Sequence, residues 1–316
     1  MSKIKNIYTF GTSFTKGGGF EFWSKYTKQK LNTAYSGLRE DLNQHNFSWP
    51  GQLEKIINDT DINIINLAES GYGNERIYRK TYEIINSPSF NVDTDIFLFE
   101  FSHLGRREFY NTDIENIIIM NYSPIFDPED KVEPYCEYNG HAYRYWEEDS
   151  DEYNKLKKTE PETQLLFNEY LEKYHNMETA TNEMINNIIL FLSYLTKKNI
   201  KFWFMQPPLG VDVSFFDKLK WNDRIINFDS KSNGFMLDFA LFSFKGTGTI
   251  TFETDGYVND GHTGLIGNKL IAIKVFNHLI DKNIINGSIK KIDWENLEEL
   301  QKKILTNVKL NKIKLL

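Results

Sequence analysis

Short apolar runs alternate along this chain with longer stretches in which apolar residues recur every third or fourth position. Ile4 to Phe10 is β-branched and aromatic and stops at Gly11, the pattern of a strand buried on both faces. Ile62 to Leu67, Asp95 to Phe101 and Ile200 to Gln206 repeat it, the last closed by Pro207 and Pro208. Between them lie helix signals. Ser48 is a capping residue followed by Pro50 in the first turn and by Leu53, Ile56 and Ile57. Ala68 to Ile77 reads as a glycine-containing loop that enters a second helix. Met177 to Asn199 places Ile185, Ile188, Ile189, Leu192 and Leu195 on one helical face, and Gly264 to Asn283 is apolar enough for a helix lying on a sheet. Ile225 to Phe228, Met236 to Phe242 and Thr249 to Phe252 are apolar runs whose type the pattern leaves open.

Strands that alternate with helices predict an α/β fold: a three-layer α/β/α sandwich on a mainly parallel sheet, with the site at the carboxyl ends of the strands. The pattern is lost between about residues 105 and 176. That stretch contains Pro124, Pro128, Pro134 and Pro161, an acidic cluster from Glu147 to Glu152, and Tyr135, Tyr138, Tyr143, Tyr145 and Trp146. We expect a single domain over 1–284 with an insertion at about 105–176 that caps the site. The rings there suit contacts with a sugar or an acyl chain, or a small local core. The tail, 285–316, has helical spacing at Leu297, Leu300, Ile304 and Val308 and then alternates lysines with apolar residues. It could close an edge, pair subunits into a homo-oligomer, or lie partly disordered.

Composition narrows the function classes. The chain has 316 residues, 40% of them apolar, which can fill a sizeable core. A formal charge of −7 argues against a dedicated nucleic-acid surface. The one cysteine, Cys136, allows no intrachain disulfide, and no Cys/His spacing resembles a closed zinc site, so no metal is expected. The residues before the first strand lack the apolar core of a signal peptide, and no apolar stretch approaches the roughly 20 residues that span a bilayer. The expectation is a cytoplasmic protein without a membrane partner, or one carried in a virion. Thr15 to Gly19 looks like a phosphate loop but lacks the Gly-Lys-Ser/Thr ending, and a flexible loop is the preferred reading.

Candidate chemistry starts at Ser13, a hydroxyl just past the first strand's glycine. A serine nucleophile needs a base, the base must be held in one tautomer, and the oxyanion that forms needs donors. Near the other end, Asn259-Asp-Gly-His-Thr-Gly-Leu-Ile-Gly267 offers His262 as base and Asp260 as its orienting carboxylate, with Asp255 in reserve. The turn with Gly71 and Gly73 follows the second strand, where backbone N–H groups can point at a developing oxyanion.

Four blocks in this order resemble the SGNH, or GDSL-type, hydrolases. Tyr8-Thr-Phe-Gly-Thr-Ser-Phe-Thr15 is similar to the family's Gly-Asp-Ser block, with Thr12 in place of Asp and Ser13 in the nucleophile position. Asn66-Leu-Ala-Glu-Ser-Gly-Tyr-Gly-Asn74 is similar to the second block, and the resemblance makes Gly71 the oxyanion donor, with Gly73 and Asn74 next in line. The third block normally supplies an asparagine. Here Ser102-His-Leu-Gly105 stands instead, with Ser102 or His103 as substitutes, and the following Arg106, Arg107 and Glu108 look like a variant found in SGNH-like proteins of tailed phages. The last block usually places Asp three residues before His, whereas Asp260 is two before His262. The resemblance implies a flavodoxin-like sandwich and ester hydrolysis without a cofactor. The substrate it implies is a small molecule or glycan bearing an O-acetyl or short acyl ester. Arg106 could pair with a neighbouring carboxylate or grip a carboxylated sugar. Two alternatives remain: a glycan- or virion-associated binding protein that keeps the fold without the chemistry, and an acyltransferase using the same nucleophile.

Overall fold

The computed structural model describes residues 3–17, 44–46, 48–69, 72–102, 106–111, 116–121, 137–138, 165, 169, 177–205, 221–226 and 265–285. Five strands form a sheet in which every pairing is parallel: β1 (Asn6–Phe10), β2 (Asn63–Asn66), β3 (Asp95–Phe99), β7 (Lys201–Met205) and β8 (Ile225–Ile226), in the spatial order β2-β1-β3-β7-β8. β1 lies inside the sheet, with Ile7 opposite Ile64 on one side and Ile96 on the other. β3 then pairs with β7 through Phe97 and Phe202. The chain is thus α/β with a mainly parallel sheet, as the alternation of patterns predicts.

Successive side chains of a strand point to opposite faces, and the core divides accordingly. Ile7, Ile96, Leu98, Trp203 and Met205 join one apolar cluster with α2 (Trp49–Ile57) and α5 (Leu265–Asp281), through Trp49, Leu53, Ile271, Val275 and Leu279. Tyr8, Phe10, Phe97, Phe99, Phe202 and Phe204 join the other with α3 (Asn74–Ile85) and α4 (Met177–Lys197), through Ile77, Ile188, Phe191 and Leu192. Phe10 stacks on Phe99 at 5.2 Å between ring centres, and Phe191 meets the same ring edge-on at 5.3 Å. Aromatic pairs of this kind add to the burial of their area. After Gly11 comes α1 (Ser13–Lys16), a single helical turn.

α2 begins where Ser48 predicts it. The Ser48 hydroxyl accepts from the N–H of Gly51 at 3.4 Å and donates to the His45 carbonyl at 2.7 Å, while Pro50 occupies the first turn. The helix ends at Asn58, whose left-handed backbone (φ 45°) closes it.

The stretch after β3 shows no periodic signal, yet its described residues 106–111, 116–121 and 137–138 are β structure. β4 (Arg106–Asn111), β5 (Asn116–Asn121) and β6 (Glu137–Tyr138) form a separate antiparallel sheet in that order. Charged and amide residues at both ends of the β4–β5 pair, Arg106 opposite Asn121 and Asn111 opposite Asn116, hide the apolar centre from a periodicity reading. Two ion pairs fix β4 to α3: Arg79 to Glu108 at 2.6 Å and Arg107 to Glu75 at 3.1 Å. The remaining expectations for the capping segment and for the tail at 285–316 fall outside the described residues.

Candidate active site

Ser13 opens the turn that follows β1, and the sheet order makes this a distinctive place. The chain passes from β1 outward to β2 and then returns to β3 on the other side of β1. The connections leaving β1 and β3 diverge there, and in open parallel sheets ligands bind in the resulting crevice beyond the strands' carboxyl ends.

A buried carboxylate holds the turn. Glu100, one residue past β3, is 1% exposed. It accepts from the Thr12 N–H at 3.2 Å, the Thr12 hydroxyl at 2.5 Å, the Thr15 N–H at 3.1 Å, and the Thr15 hydroxyl. The Thr15 hydroxyl in turn accepts from the Trp49 indole N–H at 3.0 Å. Four donors from one turn of backbone converge on one carboxylate, so the geometry around Ser13 is set by the end of β3. Burial pushes the Glu100 carboxyl above its ordinary value, opposed by the bonds from Thr12 and Thr15 and by the nearby charge of Arg106. Gly11 has a steric reason to be glycine. A Cβ there would stand 2.5 Å from a Glu100 carboxylate oxygen and 2.8 Å from the Thr15 Cβ.

The turn is tied equally to β2. The Asn66 side chain donates to the Thr15 carbonyl at 2.9 Å and accepts from the Thr9 hydroxyl and the Ala68 N–H. The Glu69 N–H bonds the Gly11 carbonyl at 3.1 Å, and the Glu69 carboxylate pairs with Lys16. The other backbone donors of the turn divide between the turn itself and Glu100. The N–H groups of Lys16 and Gly17 bond the carbonyls of Thr12 and Ser13, and those of Thr12 and Thr15 are held by Glu100. The Ser13 N–H takes part in none of these bonds.

A second group assembles at the same edge of the sheet. Gly73 precedes α3, and Asn74 begins it; the Asn74 side chain accepts from the Ser102 N–H at 2.6 Å and donates to the Ser102 carbonyl at 3.2 Å. This doubly bonded pair joins the loop after β2 to the loop after β3. The Ser102 hydroxyl is buried and has no hydrogen-bond partner among the described residues. A Cβ on Gly73 would lie 2.7 Å from the Arg106 carbonyl oxygen, so only glycine lets the two loops touch. Of the residues singled out by sequence, Ser13 therefore lies in the turn locked by Glu100, while Gly73, Asn74, Ser102 and Arg106 come together beside the strand end that Glu100 belongs to.

Gly71, His103, Asp260, His262 and the reserve Asp255 lie outside the described residues. Among the described residues no group of three or more His, Cys, Asp or Glu could hold a metal ion, and no helix is long and apolar enough to cross a membrane. Sequence reasoning passed over Glu100, although a charge in the otherwise apolar run Asp95 to Phe101 is a signal. A carboxylate carried into a core by its strand must find donors there. Comparison with family models, with curated proteins and with solved structures finds no match to this chain.

Proposed function

We propose that this chain is a serine ester hydrolase with an SGNH-like three-layer architecture. Ser13 attacks the acyl carbon of an ester while His262 takes the hydroxyl proton and Asp260 orients the imidazole. The tetrahedral oxyanion accepts from the Ser13 N–H and from donors of the Gly71 to Asn74 turn, with Ser102 at the place of the missing asparagine. The C–O bond to the alcohol breaks as His262 protonates the leaving oxygen. Water then adds to the acyl-serine, gives its proton to His262, and releases the acid and the free Ser13 hydroxyl. The acyl group is short and the alcohol is a carbohydrate or another small polyol.

One observation carries this reading: Ser13 sits just beyond β1, an inner strand, at the divergence of the β1 and β3 connections, in a turn that four hydrogen bonds to Glu100 hold in one geometry. Rigid placement of a nucleophile is what acyl transfer requires. The test is hydrolysis of p-nitrophenyl acetate by the wild type, by Ser13→Ala and by His262→Ala. Loss of at least about a thousandfold in kcat/KM in both variants is expected for members of one catalytic unit. Equal residual rates in all three proteins would leave a non-catalytic binding protein.

A further inference from the structure

The pairings of β3 with β1 and β7 end at Phe99, so Ser102 lies beyond the reach of either neighbouring strand. Its backbone is answered by one side chain instead. The Asn74 amide oxygen accepts from the Ser102 N–H at 2.6 Å, and the Asn74 amide nitrogen donates to the Ser102 carbonyl at 3.2 Å. Two residues of an antiparallel hydrogen-bonded pair exchange their backbone groups in the same way. Asn74 therefore does for Ser102 what a further strand would do. As the first residue of α3, 6% exposed, it ties a helix start to the strand end that carries Glu100.

The direction of the Ser102 side chain follows from the residues before it. Phe99 and Phe101 belong to the apolar cluster under α3 and α4, and their rings stack at 5.8 Å between centres. Glu100, between them, turns to the other side and takes its four hydrogen bonds from Thr12 and Thr15. Strand alternation thus continues past the end of β3, and the backbone exchange with Asn74 carries it to Ser102. That puts the Ser102 hydroxyl on the side of Glu100, where the turn of Ser13 lies. The hydroxyl is buried and makes no hydrogen bond among the described residues. Native interiors pair the great majority of such atoms, so this donor is held ready for an acceptor that arrives with a ligand.

We propose that Asn74 is a positioning residue: it fixes the backbone of Ser102 so that the Ser102 hydroxyl donates to the oxyanion that develops on the ester's carbonyl oxygen. The proposal rests on the esterase reading and goes beyond it, giving Asn74 a role exerted through Ser102 in place of a direct contact with the oxyanion. Preorganised donors of this kind act on the transition state more than on the bound ester, so their loss is read in kcat.

The experiment is a double-mutant cycle on p-nitrophenyl acetate hydrolysis with Asn74→Ala, Ser102→Ala and the variant carrying both, each assayed well below its melting temperature. Ser102→Ala is expected to lose about a hundredfold in kcat with little change in KM, as for removal of one oxyanion donor. Asn74→Ala should lose at least about tenfold in kcat, again with KM nearly unchanged. The double variant should fall no more than about twofold below Ser102→Ala, because two residues acting through one hydroxyl are not additive. Losses that multiply in the double variant overturn the proposal, since Asn74 would then meet the oxyanion by itself. Wild-type kcat in Asn74→Ala with a lowered melting temperature also overturns it, leaving a clamp that serves folding alone. Wild-type kcat in Ser102→Ala does the same. Ser13→Ala separates the two levels: if it keeps the wild-type rate, the esterase reading falls and takes the proposal with it, whereas if it abolishes hydrolysis while the Asn74 and Ser102 variants turn over normally, the proposal alone falls.

Discussion

A carboxylate sealed beneath a turn of backbone titrates differently from one in water. For Glu100 burial raises the folded-state value above that of the unfolded chain, where the group has its ordinary value near 4.5. Its contribution to stability is therefore fully present below that value and is lost as pH rises through the raised one. Glu100→Gln keeps the size but turns an amide N–H toward at least one of the four donors of Thr12 and Thr15. The expected outcome is a loss of roughly 1–3 kcal/mol at neutral pH, measured by urea unfolding, together with a shallower decline of stability as pH rises above 4.5 than in the wild type. In the ester assay kcat should fall more than KM rises, because the residue shapes the turn and touches no substrate. The place of Ser13, just past a buried strand and a glycine, was legible in the sequence. Glu100 was not, because its partners are 85 and 88 residues away in sequence and a short motif cannot register them.

α2 shows how a local signal and a tertiary contact divide the control of one element. Ser48 caps it, and removing the hydroxyl in Ser48→Ala should cost about 1 kcal/mol, more than at an exposed cap because the same oxygen also serves the His45 carbonyl. Gly51 reverses the usual rule. In a helix, glycine to alanine normally stabilises by up to about 1 kcal/mol, but a Cβ at Gly51 would overlap the His45 carbonyl, lying 2.6 Å from its carbon, and backbone cannot swing aside as a side chain can. Gly51→Ala should therefore lower the melting temperature, and a gain would mean that the preceding 3₁₀ turn, Gln44–Asn46, moves freely. The elements whose periodicity was strong are found close to their expected bounds: Asp95 begins β3, Met177 begins α4, and β7 runs from Lys201 to Met205. β4 and β5 escaped because a two-stranded pairing flanked by Arg106, Asn111, Asn116 and Asn121 has too short an apolar centre to show a period. Ile225 to Phe228 stayed ambiguous for a similar reason: among the described residues Ile225 and Ile226 pair with Phe204 and Met205, a stretch too short to show a period.

Taken over the molecule, buried titratable groups squeeze stability from two sides. Glu75 and Glu108 are pushed up by burial, as Glu100 is, each opposed by its arginine, so all three favour folding less as pH rises. His278 on α5 acts in the opposite sense. Burial, with Lys282 adding to it, lowers its value to about 4 from an ordinary 6.5, and its ring sits against Trp203 at 6.4 Å. A base whose folded value is depressed gives stability that is present above 6.5 and lost as pH falls toward 4. The melting temperature should peak between these limits. His278→Leu should remove roughly 2 kcal/mol of the acid-side loss, as read from unfolding at pH 4.5 against pH 7.

β1 comes first in chain order among the described strands. Both of its neighbours come later in the chain, Asn6 meeting Asn63 on one flank and Asp95 on the other. The anchor of its turn, Glu100, follows later still. Closing such distant pairings costs loop entropy before any contact repays it. A nascent segment ending before residue 100 would hold Ser13 without the carboxylate that fixes its turn. If the proposed ester hydrolysis holds, its recovery after dilution from denaturant should track the slowest step of sheet assembly.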